Sequence, residues 1–247
     1  MPYVLAFLTL LLIGCGSQQA DGDTVRDPAS GVQLNGDVLR VLMPVGALAV
    51  PRGHDPLQHE RAVVEDFAAK NGWTVEIVAV GGYAALGDAL LTGMGDLIAA
   101  NYTVTDERSE KMQFTEPLGR VHELLVGRAG KKQPRSLDEL NGTTIGVQAG
   151  TSYVDTARAL RAEYPGNRFV QIPADLSYDE VLERVTSGGI DYTILDDNLF
   201  NRLRPFHDGV VASLDLSLHD RPIAWGVAPD QPDLLAAAKC LPDALSD

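Results

Sequence analysis

The residues with the clearest chemical potential lie in one short run, Asn101-Tyr102-Thr103-Val104-Thr105-Asp106-Glu107-Arg108. It supplies an amide, several hydroxyls and a single guanidinium where an apolar stretch ends. Arginine is the side chain that grips a carboxylate through two parallel charge-assisted hydrogen bonds. Thr105 is suited to cap the turn that follows, leaving Thr103 to point into a cleft. A second group, Gly150-Thr151-Ser152, follows a predicted strand and opens a predicted helix, whose free backbone N–H groups favour an anion. Asp196 closes another apolar run and offers a negative charge suited to an ammonium. A carboxylate clamp on one side and a carboxylate on the other describe a zwitterion such as an amino acid. The competing reading of Arg108 is a surface pair with Glu107 or Glu110, which contributes little; spacing alone does not separate the two.

Catalytic patterns find no support. Gly150-Thr151-Ser152-Tyr153-Val154 fails G-x-S-x-G at its last position, and neither a P-loop nor G-x-G-x-x-G occurs. His54, His59, His122, His207 and His219 lack metal-ligand spacing. A glycosidase needs two carboxylates converging on one bond, and among 34 acidic side chains no spacing singles out a pair. With 20 basic residues against those 34, the net charge of −14 argues against nucleic acid and against electrostatic attachment to anionic lipid. Cys15 and Cys240 are too few for a disulfide framework or a zinc site. No cofactor is implied, and the reading is a binding protein that is not catalytic by itself.

The elements that must position these groups alternate in type. Short apolar runs at 38–43, 75–80, 96–100, 124–128, 144–148, 169–172, 191–195 and 223–227 read as strands. Helical patterns at 60–71, 83–91, 153–164, 177–187, 197–204 and 231–239 lie between or after them. That order is the signature of an α/β protein with mainly parallel strands. It also repeats: Gly93-Met94-Gly95-Asp96 and Gly188-Gly189-Ile190-Asp191 each end a helix and begin an apolar strand, 95 residues apart. The strands finish on Asn101 and Asp196, and in open α/β sheets ligands sit beyond the carboxyl ends of strands. Two small lobes facing one another would enclose a cleft between them.

The N-terminus has a different character. Tyr3 to Ile13 is apolar except for Thr9, too short to span a bilayer and suited to the core of a signal peptide. It ends in Leu12-Ile13-Gly14-Cys15, which resembles a bacterial lipobox, although no Lys or Arg precedes it. Residues 1–14 are then a leader, Cys15 the lipidated residue, and 15–36 a polar tether. Gly16 after the cysteine favours the outer membrane by analogy with lipoprotein sorting.

Three separated motifs are similar to the bacterial family 3 solute-binding proteins: Gly93 to Pro117, Arg135 to Tyr153, and Gly188 to Asp197. The resemblance covers roughly residues 37–229 and implies a two-lobe, type II periplasmic-binding-protein-like fold with the ligand between the lobes. It implies lobe 1 at 37–125, lobe 2 at 126–216, and a return to lobe 1 at 217–247, with crossings near Leu125 and Leu216. By the same resemblance Arg108 binds the ligand's carboxylate, and Asn101 and Thr103 make backbone and hydroxyl contacts. Thr151 and Ser152 form a hydroxyl pair on lobe 2, and Asp196 receives the α-amino group. The chain departs from the family pattern after its first strand. Only Glu60 remains of a G-[FY]-D-x-[DE]-L motif, and the aromatic lid on the ligand side chain is absent.

The segment from Asp191 through Trp225 further resembles the solute-binding-like domain that precedes the catalytic domain in membrane-bound lytic murein transglycosylases F. Two roles follow. One is a monomeric, lipid-anchored periplasmic receptor for an amino acid, serving an ABC permease. The other is a regulatory domain that senses peptides or muropeptides of peptidoglycan for a transglycosylase domain beyond this chain. The break at Cys240-Leu241-Pro242, where the family continues a helix, reads as a truncated or frameshifted end.

Overall fold

A computed structural model describes residues 36–48, 55–217 and 221–241, with Val32 and Leu34. The leader, Cys15 and nearly all of the polar tether lie outside the described residues, as do 242–247.

The chain begins with β1 (Val38–Pro44), α1 (Val45–Leu48), α2 (Gln58–Lys70), β2 (Thr74–Val80), α3 (Tyr83–Leu91) and β3 (Leu97–Ile98). A one-turn α4 (Asp106–Ser109), β4 (Gln113–Phe114) and β5 (Gly119–Val121) follow. The second half runs β6 (Glu123–Arg128), β7 (Thr144–Gln148), α5 (Tyr153–Glu163), β8 (Arg168–Ile172), α6 (Tyr178–Ser187), β9 (Tyr192–Asp196), α7 (Asp197–Leu203) and β10 (Val210–Asp215). It closes with β11 (Arg221–Ile223), β12 (Gly226–Val227) and α8 (Pro232–Ala237).

Two five-stranded sheets result, β2-β1-β3-β12-β4 and β8-β7-β9-β6-β10, with β5 and β11 pairing as a separate ribbon. The sheets have the same plan. In each, a central strand (β1 or β7) runs parallel to both neighbours. A strand that arrives from the other lobe (β12 or β6) adds antiparallel, followed by an antiparallel edge. The sheets are therefore mixed, and the mainly parallel expectation holds only for the three strands of each βαβαβ unit. Each crossing strand enters its sheet beside β3 or β9 and pairs antiparallel with it.

Composition explains the layering. Central β1 is buried along almost its whole length, whereas edge strands β2 and β8 expose Glu76 and Arg168 and so are blunted against further pairing. Helix α2 buries Val64, Phe67 and Ala68 on one stripe. Trp225, fully buried, meets Phe67 edge-on at 5.5 Å between ring centres. Helix α6 starts in a capping box between Ser177 and Glu180 and stops at left-handed Gly188. The repeated Gly-x-x-Asp has a structural purpose: Asp96 accepts the Arg40 N–H and Asp191 the Thr144 N–H, each at 2.8 Å, tying the third strand to the first.

Several boundaries differ from expectation. The strand predicted over 96–100 pairs only at Leu97–Ile98, and the one over 223–227 is split at Ala224-Trp225. There the Ala224 N–H turns to the Tyr102 carbonyl and the Trp225 N–H to Thr115 Oγ1. Strands β4, β5 and β10 carry no alternating apolar pattern that would mark them in the sequence. Leu125 lies inside β6, which begins at Glu123. Near Leu216 the return crossing runs beside it, with the Leu216 N–H donating to the Glu123 carbonyl at 2.8 Å.

Candidate ligand-binding cleft

Asn101 stands where β3 ends and, among the described residues, is the one non-glycine with positive φ, at +49°. Asparagine tolerates that conformation better than most side chains. It is held there by Glu60 on α2, whose carboxylate accepts the Asn101 N–H at 2.6 Å and the Trp225 indole N–H at 3.2 Å. Burial pushes the Glu60 carboxyl up to about 7 against the pull of those two hydrogen bonds.

From this point the two lobes clasp each other. Asn101 Nδ2 donates to Asp196 Oδ2 at 2.6 Å, and Asn198 Nδ2 donates to Asn101 Oδ1 at 2.7 Å. The hydroxyls of Thr103 and Ser152 meet at 3.2 Å, and those of Tyr83 and Tyr178 at 2.5 Å. Arg108 spans the gap: Nη1 donates to the Thr103 carbonyl at 2.6 Å and Nη2 to the Gly150 carbonyl of the other lobe at 3.0 Å. Its guanidinium lies 3.8 Å from the ring centre of Tyr102, a cation–π contact. Burial lowers its pKa without threatening its charge.

The expected site residues thus converge, with their partners changed. Arg108 does not pair with Glu107, which binds Lys111 instead at 2.8 Å. Thr105 caps α4 by accepting the Arg108 N–H at 3.3 Å. Ser152 faces the cleft and also reaches Glu123 at 3.3 Å. Thr151 turns back, its hydroxyl donating to Gln148 of its own lobe at 2.8 Å. Asp196 is buried; burial first, then the charge of Glu123, raises its pKa well above the carboxylate range. Its Oδ1 has no hydrogen-bond partner among the described residues.

Around this group stand residues that spacing did not mark. Glu123, fully buried, accepts from Thr156 and Ser152 and pairs with Arg221 at 3.3 Å. Burial raises its pKa as well. Tyr153 Oη accepts the Asp196 N–H at 3.0 Å. Tyr83, through its hydroxyl on Tyr178, is a bonded member of the clasp. One signal was available: Tyr83 and Tyr178 are 95 residues apart, as are Asn101 and Asp196, the interval of the Gly-x-x-Asp repeat. Between these side chains about 10 Å³ remains, no more than one water would fill. Beyond Arg108 a groove of about 290 Å³ opens between α3 and α5.

Two α/β lobes of equal strand order, meeting at a polar cleft and joined through paired crossings, define a two-lobe solute-binding fold. The chain belongs to the bacterial extracellular solute-binding proteins, family 3, whose profile matches residues 55–241. It is 32% identical over 226 residues to a membrane-bound lytic murein transglycosylase F of Maricaulis maris, covering 90% of this chain and 48% of that protein. To the protein of the same name from Saccharophagus degradans it is 30% identical over 183 residues, covering 74% of this chain and 36% of the other. The chain therefore spans less than half the length of these curated relatives. In fold it is similar to the arginine-bound form of truncated ArgBP from T. maritima, at a TM-score of 0.69 and 21% identity over 83% of this chain and 94% of the other. An ancestral arginine-binding protein bound to arginine gives a TM-score of 0.72 at 20% identity, over 85% and 91%.

Proposed function

We propose that this chain is a receptor module of the bacterial periplasm that closes its lobes around a small zwitterion, an amino acid or a peptide-like molecule, and is not catalytic by itself. The observation that carries the reading is the convergence of Arg108 and Thr103 from one lobe on Ser152 and Asp196 from the other. Arg108 takes the ligand carboxylate and Asp196 its ammonium, with the Asn101 backbone, Thr151 and Ser152 completing the shell. Ligand enters when the lobes swing apart about the β5–β11 ribbon and the crossing beside it. Anchoring through a lipid on Cys15, in the outer membrane, accords with the leader pattern.

The names of the relatives favour a regulatory setting over an importer: the lobes read free amino acids or cell-wall peptides and pass that state to a murein-cleaving domain. Titration calorimetry and thermal unfolding with the L-amino acids and with muropeptides test the binding. A ligand at about a hundred times its Kd stabilises the fold by about 2.7 kcal/mol. That shift disappears in Arg108→Ala. If no such ligand moves the transition of the wild-type protein, the reading fails. Loss of solute uptake on deleting the gene, with murein turnover unchanged, would instead establish the importer role.

A further inference from the structure

The polar groups assigned to the ligand are paired with groups of the protein, Asp196 Oδ1 excepted. Asp196 Oδ2 holds the Asn101 amide at 2.6 Å. Two carbonyls, one from each lobe, hold Arg108, and the Thr103 and Ser152 hydroxyls hold each other. The 10 Å³ left over admits no organic ligand. Asn101 is not there by chance of rotamer: Asn198 fixes its carbonyl, and Glu60 fixes its backbone in the left-handed region.

We infer that the Asn101 side chain is a tethered occupant of the ammonium seat, a specificity-determining residue that holds the lobes together and must be displaced by ligand. The inference rests on the zwitterion reading for the identity of the seat. A primary amide brings one N–H to one oxygen of Asp196 and leaves Oδ1 unserved. An ammonium brings three N–H donors and full charge, enough for both oxygens. A ligand whose nitrogen is acylated brings a single neutral N–H, no better than the amide already in place. The cleft therefore selects free α-amino groups over acylated ones. It discriminates a released amino acid or peptide from one still attached through its nitrogen to a larger molecule.

Asn101→Gly tests this, because glycine adopts the same backbone angles and keeps the N–H to Glu60 while removing the amide. The full-length variant is compared with the wild type by small-angle scattering without ligand, and by calorimetry with the L-amino acids and their N-acetyl forms. The expected result is a larger radius of gyration, affinity for the best amino acid raised at least tenfold, and a smaller preference over its N-acetyl form. An unchanged radius with unchanged affinity and preference overturns the inference, as does a wild-type protein already open without ligand. Opening in the variant while neither protein binds any amino acid upholds the clasp and sinks the zwitterion reading. Should Asn101→Gly fail to fold, Asn198→Ala releases the amide without touching the strained residue. The same three shifts, smaller in size, are then expected, and their absence overturns the inference.

Discussion

Tyr83 and Tyr178, 95 residues apart in sequence, share one hydrogen bond at 2.5 Å, and each is the first residue of its helix, α3 and α6. Asn101 and Asp196 repeat the relationship with the same interval. Residues that touch their own counterparts lie on the axis relating the two lobes, as in an isologous interface. The matching strand orders of the two sheets say the same at the level of topology. The cleft is thus the place where a pseudo-twofold axis leaves the protein, and its clasp is built from equivalent positions.

Closure of that axis depends on absent side chains. A Cβ at Gly46 would sit on the Leu176 carbonyl of the opposite lobe, and one at Gly150 on the backbone of Ala84. Gly46 lies in α1, where alanine is a favourable residue for the lobe itself. Gly46→Ala is expected to fold and to remain open. Its radius of gyration should exceed that of the wild type, and amino-acid affinity should fall at least tenfold. A wild-type radius would contradict the close approach.

Glu60 makes stability depend on pH. Unfolded, its carboxyl loses the proton near 4.5; folded, it keeps it until about 7. The folded state binds more protons across that window, so this contribution is complete below pH 4.5 and is lost as pH rises to 7. At roughly 1.4 kcal/mol per pH unit the change is about 3 kcal/mol. The raised carboxyls of Asp196 and Glu123 act in the same direction. Urea titrations at pH 5 and 7 should show the wild type less stable at 7, and Glu60→Gln should flatten the difference.

Asp196 couples ligand to protons. Burial and Glu123 favour its protonated form in the unliganded cleft. An ammonium arriving beside it favours the ionised form, so binding releases a proton and affinity rises with pH until the ligand's own amine titrates. Calorimetry in buffers of different ionisation enthalpy should give buffer-dependent heats in the wild type. Any binding that survives in Asp196→Asn should lack that dependence.

The pair Arg221–Glu123 ties the return crossing to the first strand of lobe 2. Glu123 is fully buried, and Arg221 supplies its positive partner at 3.3 Å. Arg221→Met keeps the aliphatic stem and strands the carboxylate, a loss of about 2 kcal/mol. Adding Glu123→Gln should recover part of it, since the charge left uncompensated is then removed. A double variant whose loss equals the sum of the two single-variant losses would show that the pair is not coupled.

Sequence periodicity marks several elements well. Helix α3 and strand β7 fall on their predicted limits, because both combine a continuous apolar pattern with glycine at a boundary. The run 101–108 and Asp196 stand out as candidate cleft residues because each follows an apolar strand and carries a group unlike its surroundings. Glu60, Glu123 and Asn198 were not legible as cleft residues. Their importance comes from burial and from partners 29 to 165 residues away, which no local pattern encodes. The partners of Arg108 were equally hidden: backbone carbonyls have no sequence signature.

The pseudo-twofold axis constrains what its own positions can hold. Identical residues placed on such an axis confront like with like. Two aspartates at the Asn101–Asp196 distance of 2.6 Å would repel, and two asparagines would leave no carboxylate at this pair. Asparagine opposite aspartate gives an otherwise even-handed cavity a head and a tail. A molecule bound there has one orientation, and the two lobes, alike in architecture, are told apart by a single carboxylate.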